Sequence, residues 1–129
     1  MSTQQRSFVR IRVLFVLLAC FVVTRAYGQV QVAGMWINAT FRLELNTNGD
    51  NLTGTISEEP SAPRVVSEGR INGTHITFTT DVLLNGKDDV VEWSGDVHGD
   101  ELSLMRQLRS APRRRPGAFN GPFVLHRSK

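Results

Sequence analysis

The sequence predicts an all-β domain, an antiparallel up-and-down meander of seven or eight strands that forms a closed or nearly closed small barrel. Three turn dipeptides, Asn72-Gly73, Asn85-Gly86 and His98-Gly99, recur every thirteen residues. Asn-Gly is the strongest two-residue hairpin signal, because a type I′ turn requires positive φ at both central positions. Each segment between these turns is long enough for a strand. Beyond the N-terminal leader described below, no window has a helical period.

Side-chain parity supports this meander. Residues that flank a two-residue turn point to the same face of a hairpin. If Ile71 faces inward, the inward positions that follow are Thr74, Ile76, Phe78, Thr80, Val82, Leu84, Lys87, Asp89, Val91, Trp93, Gly95, Val97, Asp100, Leu102, Leu104, Arg106 and Leu108. The apolar residues stay in phase through three turns, and a slip of one residue would destroy that agreement.

The remaining strands follow from alternation and from turn residues. Phe41, Leu43 and Leu45 alternate with polar neighbours and predict an amphipathic strand. The segment 46–51 is rich in oxygen ligands but lacks the spaced carboxylates of a calcium loop, so we interpret it as a hairpin loop. Further strands are expected at about 52–58, 64–71 and 123–127, separated by breaks at 59–63 and 110–117.

The first 28 residues have the features of a cleavable export signal. Arginines near the N-terminus precede the apolar run 13–23, and Ala26-Tyr27-Gly28 has the small-x-small pattern of a signal peptidase site. The run is too short to span a bilayer comfortably. We therefore expect residues 29–129 to form one secreted or periplasmic domain without a transmembrane span.

An alternative leader remains open. Leu17-Leu18-Ala19-Cys20 resembles a bacterial lipobox, in which the cysteine is lipidated and becomes the new N-terminus. The apolar run continues past Cys20, however, where a lipoprotein usually turns polar. We favour ordinary secretion and keep a lipid anchor at Cys20 as the alternative.

Removing the leader changes the charge balance. The whole chain has 15 Lys and Arg against 12 Asp and Glu, and four of the arginines leave with the leader, so the net charge becomes −1. All the acids lie within 29–101, whereas 102–129 contains seven basic residues and no acid. We expect this basic tail to pack against the acidic body. Cys20 is the only cysteine, so the mature domain must be stable without a disulfide.

Gly34-Met35-Trp36, at the entry to the first strand, is similar to the Gly-x-Trp of calycin β-barrels, the lipocalins and their relatives. The resemblance implies that Trp36 packs at a closed barrel end beneath an arginine from a late strand. Arg106 has the inward parity for this role, and Arg127 on the closing strand is the other candidate. Gly34, Trp36 and Arg106 are thus expected to be structural residues of a short calycin-like barrel.

We expect a filled interior. A pocket of about 300 Å³ would cost roughly 7 kcal/mol at about 24 cal/mol per Å³, which is comparable to the whole stability of a small domain. The predicted inward residues are sufficient to fill a small barrel. The alternative is a carrier of small apolar ligands that uses the barrel mouth near Trp93.

No pattern of catalytic or metal-ligating residues is visible. His75, His98 and His126 lack metal-ligand spacing, and Glu68, Glu92 and Asp96 have outward parity as separate carboxylates. We expect no cofactor, no metal and no enzymatic activity. No Ser-His-Asp, Cys-His or phosphate-cradling arrangement is visible in the sequence.

The triplet Arg113-Arg114-Arg115 is the most conspicuous exposed feature, and it suits an anionic or acidic partner. It lacks the interleaved aromatic residues of a nucleic-acid site. The sequence therefore favours an exported binding or accessory module that contacts an envelope component or a protein partner. Trp93 and the three arginines are the candidate ligand-contacting residues, and the oligomeric state stays open.

Overall fold

A computed structural model describes residues 31–112 and 116–129. These residues form nine β-strands and no helix. The strands are β1 (Gly34–Ile37), β2 (Phe41–Asn48), β3 (Asn51–Glu58), β4 (Arg64–Val65), β5 (Ser67–Asn72), β6 (His75–Leu84), β7 (Lys87–His98), β8 (Glu101–Leu108) and β9 (Phe123–Arg127).

Eight of these strands close into an antiparallel barrel. Their order around it is β2-β1-β9-β8-β7-β6-β5-β3, and β3 pairs back with β2. The additional strand, β4, pairs with β3 on the edge that β3 also offers to β5. The predicted all-β meander is therefore confirmed, with closure made by β1 between β2 and β9.

The barrel has two different ends. We call the end with the two-residue turns at 49–50, 73–74 and 99–100 the tight-turn end. We call the opposite end, where the connections after β1, β3, β6 and β8 lie, the loop end. The segment 46–51, interpreted as a hairpin loop, is mostly strand, and only Gly49 and Asp50 form the turn.

The inward residues form one continuous core, as the parity predicted. The buried apolar members are Val32, Trp36, Phe41, Leu43, Leu45, Leu52, Ile56, Val66, Ile76, Phe78, Val91, Trp93, Val97, Leu102, Leu104 and Leu125. Thr80 and Gly95 are also buried at predicted inward positions. Leu84 and Lys87 keep the predicted pairing but are exposed, because they lie at the turn of the long β6–β7 hairpin.

The turn between β6 and β7 has the predicted type I′ φ values. Asn85 and Gly86 have φ of 50° and 77°, and the residues on either side, Leu84 and Lys87, are paired. An asparagine tolerates the left-handed region better than most residues, which is why Asn-Gly suits both central positions.

The other two turns lie one residue later than predicted. Asn72 pairs with His75, and His98 pairs with Glu101, so Asn72 and His98 belong to the strands. Positive φ then falls on a glycine alone, at Gly73 in the first case, and no side chain has to adopt the left-handed conformation. The pairing moves by two residues in each case, so the strand residues that were predicted inward remain inward. Thr74 and Asp100, which were also predicted inward, lie in the turns and are exposed.

The charge separation along the chain becomes a set of ion pairs in the barrel. Arg106, Arg109 and Arg127 from the basic tail contact carboxylates of the acidic body at 3.0 to 3.4 Å. Their partners are Glu58, Glu68, Glu92 and Asp100. The expected packing of the tail against the body is present in the described residues.

Gly54 provides a test of how closely the barrel strands pack, because it lies on β3 directly opposite Leu45 of β2. Its φ is 147°, and a Cβ there would lie 1.8 Å from the Glu44 carbonyl oxygen. We predict that Gly54→Ala lowers the free energy of unfolding by at least about 2 kcal/mol, measured by urea denaturation. Gly117→Ala is the control, since a Cβ there meets nothing within 4 Å. Equal stability of the two variants would contradict the close approach.

Candidate functional site

The side chain of Arg106 plugs the loop end of the barrel. Its Cζ lies 4.3 Å from the ring centroid of Phe119, 5.0 Å from that of Phe123 and 5.4 Å from those of Phe41 and Trp93. The side chain is only 9% exposed. Four aromatic side chains thus surround the guanidinium as a box, and a cation is attracted to their electron-rich faces.

Glu58 supplies the counter-charge for this guanidinium. Arg106 Nη1 lies 3.0 Å from Glu58 Oε2, and Nη2 lies 3.4 Å from Oε1, which is a two-point contact. Arg106 Nε donates a hydrogen bond of 2.6 Å to the Phe119 carbonyl oxygen. One side chain therefore ties β8 to the end of β3 and to the β8–β9 connection.

Trp93, the candidate ligand contact at the barrel mouth, is a core residue in the structure. It is buried and stacks on Phe78, with centroids 5.6 Å apart and an interplanar angle of 10°. Its Nε1 donates a hydrogen bond of 3.1 Å to Thr80 Oγ1. The cavity that reaches both Thr80 and Trp93 has a volume of about 10 Å³, room for roughly one water molecule.

At the tight-turn end, Arg127 and not Arg106 covers Trp36. Arg127 Cζ lies 4.3 Å from the Trp36 ring centroid, and Trp36 pairs with Arg127 across β1 and β9. Both arginines lie on late strands, but only β9 neighbours β1, which excludes Arg106 from this role. A Cβ on Gly34, whose φ is 132°, would lie 3.0 Å from Arg127 Nη1, so a glycine leaves room for the guanidinium.

Arg127 is held by the segment before β1 and by the turn between β7 and β8. Its Nη1 donates a hydrogen bond of 2.8 Å to the Ala33 carbonyl oxygen, and its Nε lies 3.2 Å from Asp100 Oδ1. The Trp36 indole is also satisfied, because Nε1 donates to the Val32 carbonyl oxygen at 2.9 Å. Gly34 and Trp36 thus lie against the Arg127 side chain, where β1 pairs with β9.

A polar groove of about 260 Å³ lies on the outer face of β6, β7 and β8. We call it the outer groove. Cross-strand pairing places Thr77 opposite Ser94, and Glu92 opposite both Thr79 and Gln107. These residues, together with Glu68 and Arg109, line the groove.

Arg109 joins two carboxylates at this groove. Its Nη2 lies 3.3 Å from Glu68 Oε2, and its Nε lies 3.4 Å from Glu92 Oε1. The sequence placed Glu68 and Glu92 outward as separate carboxylates. The outward orientation is correct, but the structure brings the two together. Their shared outward parity was the only signal for this, since the predicted 74–84 strand separates the strands that hold them.

Glu68 reaches the groove because β5 bulges between Ser67 and Arg70. The register between β5 and β6 shifts there, and Glu68 has a left-handed φ of 50°. Bulges redirect side chains, and a glutamate in this conformation is uncommon. In the sequence, the neighbouring Gly69 is the residue type that marks such a bulge.

The arginine triplet Arg113 to Arg115 lies outside the described residues. The connection that contains it is anchored beside β7, where the Ser110 hydroxyl donates to the Asp89 carboxylate. This bond, and the Val90 N–H that donates to Asp89 Oδ1 at 2.8 Å, lower the pKa of Asp89 below its ordinary 3.8.

The histidines are dispersed over the surface. His75, His98 and His126 are all exposed, and His75 Nδ1 lies 3.0 Å from Asp96 Oδ1. Within 31–112 and 116–129, no three His, Cys, Asp or Glu side chains are grouped as metal ligands. The same residues include no helix long and apolar enough to cross a bilayer.

The fold and its sites define a class: a small, closed, eight-stranded antiparallel β-barrel with a filled interior, an arginine over aromatic rings at each end, and a polar outer groove. Comparison of the chain with family models, with curated proteins and with solved structures finds no match.

We predict that Arg106→Met destabilises the domain by about 2–4 kcal/mol, because it removes the cation from the aromatic box and leaves Glu58 without its partner. Arg106→Lys should lie between this variant and the parent, since an ammonium cannot make the two-point contact. Urea denaturation measures the difference. Arg70→Met, at an exposed arginine on β5, is the matched control and should change stability by less than about 0.5 kcal/mol. Equal losses at both positions would contradict a specific role for the box.

We predict that Ser110→Ala raises the pKa of Asp89 towards 3.8, because the largest cause of its lowering is the Ser110 hydrogen bond. The stabilisation from this ionised carboxylate is present at neutral pH and is lost as the pH falls through the lowered pKa. An NMR titration of the Asp89 carboxyl carbon measures the shift. Ser57→Ala on β3 is the control, and an unchanged Asp89 titration in Ser110→Ala would contradict the contact.

Proposed function

We propose that this domain is an exported, non-enzymatic binding module that contacts an envelope component or a protein partner through its outer surface. The observation that carries the proposal is the filled interior. Arg106 in its aromatic box occupies the loop end, and only about 10 Å³ is open beside Trp93. A ligand-sized site of at least about 300 Å³ has no room there, so recognition falls to outward residues.

The proposal includes a calycin-like type of barrel. It is supported by the meander order of eight closed strands and by the Gly34-x-Trp36 entry to β1. The guanidinium of Arg127 over the Trp36 ring adds the late-strand arginine that the resemblance implies.

Export is proposed from the leader in residues 1–28, with delivery to the periplasm or the exterior. A core built without cysteine suits a protein that does not depend on oxidative folding. A lipid anchor at Cys20 is the alternative form of the same proposal, because it would hold the barrel at a membrane surface.

A carrier of small apolar ligands is the competing function. Trp93 would be its natural sensor, but its ring is stacked on Phe78 and its indole N–H is bonded to Thr80. A carrier would have to displace these contacts and the Arg106 plug before it could admit a ligand.

We predict that the purified exported protein co-sediments with isolated cell envelopes and that its tryptophan emission does not respond to a panel of fatty acids, retinoids and sterols. The reason is that core side chains fill the barrel interior, whereas the outward side chains are accessible to a partner. Trp93→Phe identifies the emission of Trp93 within the total. A saturable emission change with any of these apolar ligands would favour the carrier, and absence from the envelope pellet would contradict surface binding.

The same sedimentation assay tests the arginine triplet. Charge reversal of Arg113, Arg114 and Arg115 to glutamate should reduce sedimentation if these residues contact the envelope. In that case, sedimentation of the parent protein should also decrease at high salt, which screens such charges. Unchanged sedimentation of the triple variant would assign the contact to another part of the outer surface.

A further inference from the structure

We infer that the outer groove is a binding site for a neutral saccharide chain. This inference rests on the proposed function, because it names the envelope chemistry that the outer surface would recognise. It depends on the groove's shape, on its free hydrogen-bonding groups and on its charge.

The groove exists because short side chains are surrounded by long ones. Thr77 and Ser94 face each other across β6 and β7 and form a floor. Gln107, Glu92 and Arg109 rise beside them. The hollow of about 260 Å³ is smaller than a typical enclosed ligand site and open to solvent, which suits one or two units of a longer chain.

The floor of the groove has unused hydrogen-bonding capacity. Among the described residues, the Thr77 and Ser94 hydroxyls and the Gln107 amide have no hydrogen-bond partner in the protein, while Thr79 Oγ1 donates to the Ser67 carbonyl oxygen at 3.3 Å. Hydroxyl and amide groups both donate and accept hydrogen bonds. This mixture matches sugar hydroxyls, which also act in both roles.

The charged groups on the rim fit a neutral ligand. Arg109 carries one positive charge between the two negative charges of Glu68 and Glu92, so the groove has a net charge of −1. An anionic ligand would meet the two carboxylates. A cationic ligand would have to compete with Arg109, which already occupies the carboxylates. Carboxylate oxygens accept, and the guanidinium donates, hydrogen bonds with neutral hydroxyls at no electrostatic penalty.

A peptide strand fits the groove less well. β6, β7 and β8 pair with one another along this face, so their backbone groups are already engaged and offer no open edge. The face is also polar, because Phe78 and Trp93 point into the core. Recognition here therefore depends on polar side chains.

The geometry of Glu68 supports a site at this position. Its left-handed conformation is uncommon for glutamate, and it directs the carboxylate to Arg109 at the groove rim. Uncommon backbone conformations of this kind gather at functional sites.

An NMR titration of the exported protein tests the inference. The probes are the neutral tetrasaccharides of β-linked glucose and of N-acetylglucosamine, with tetragalacturonate as the anionic comparison. The expected result is that at least one neutral probe shifts the amide signals of Thr77, Ser94 and Gln107, with dissociation constants of about 1 mM or tighter. Tetragalacturonate should shift them less.

The decisive variant is Ser94→Leu, which fills the floor and removes a hydroxyl. It should weaken the neutral probe by at least about tenfold, equivalent to about 1.4 kcal/mol. Ser57→Leu, at another half-buried serine on β3, is the matched control and should bind as the parent does. The amide spectra of both variants report whether the barrel is intact, and Ser94→Val, which also lacks the hydroxyl, replaces Ser94→Leu if the leucine variant does not fold.

Two results would overturn the inference: no shift of groove amides with either neutral probe, or equal affinity in Ser94→Leu and Ser57→Leu. Envelope sedimentation of the parent separates this failure from that of the proposed function. If sedimentation persists without saccharide binding, the saccharide site is wrong and the surface-binding proposal stands. If the protein also fails to sediment, the proposed function fails with it.

Discussion

Every second residue of a closed β-barrel must fit into an interior of limited width, and this constraint organises the whole domain. An eight-stranded barrel is just wide enough for side chains to fill. Here the inward positions hold aliphatic and aromatic residues, and the Thr80 hydroxyl accepts the hydrogen bond from the buried Trp93 indole. Since the inside is committed to stability, the side chains available for recognition are those that alternate outward.

Each barrel end is covered by an arginine side chain that packs on aromatic residues. A guanidinium is planar and weakly hydrated, so it lies over aromatic rings while its edges donate hydrogen bonds. Arg127 does this over one indole, with backbone carbonyls and the Asp100 carboxylate as partners. Arg106 is more deeply buried among four rings and makes a two-point contact with Glu58. The deeper position requires the stronger compensation, because moving a cation out of water is costly.

The sequence predicted the barrel wall better than its surface. The strands and their inward faces were predicted from the Asn85-Gly86 turn and from the alternation through Phe78 and Val97. Turn type and alternation depend only on residues that are close in sequence. Which of Arg106 and Arg127 covers Trp36 depends on which strand lies next to β1. Side-chain parity within the meander gives no information about that pairing. The outer groove was missed for a similar reason: Glu68 and Arg109 are 41 residues apart, and the bulge in β5 that brings them together is marked in the sequence by Gly69 alone.

The closure between β1 and β9 has a consequence for the order in which the protein is completed. β1 is the first strand of the barrel in sequence and β9 the last, so β1 has one open edge until β9 has formed. The strands therefore remain an unsealed sheet until this pairing is made. Such long-range pairing is slow to form. Loss of β9 would remove both a closing strand and the guanidinium that covers Trp36, leaving an exposed edge for unwanted association.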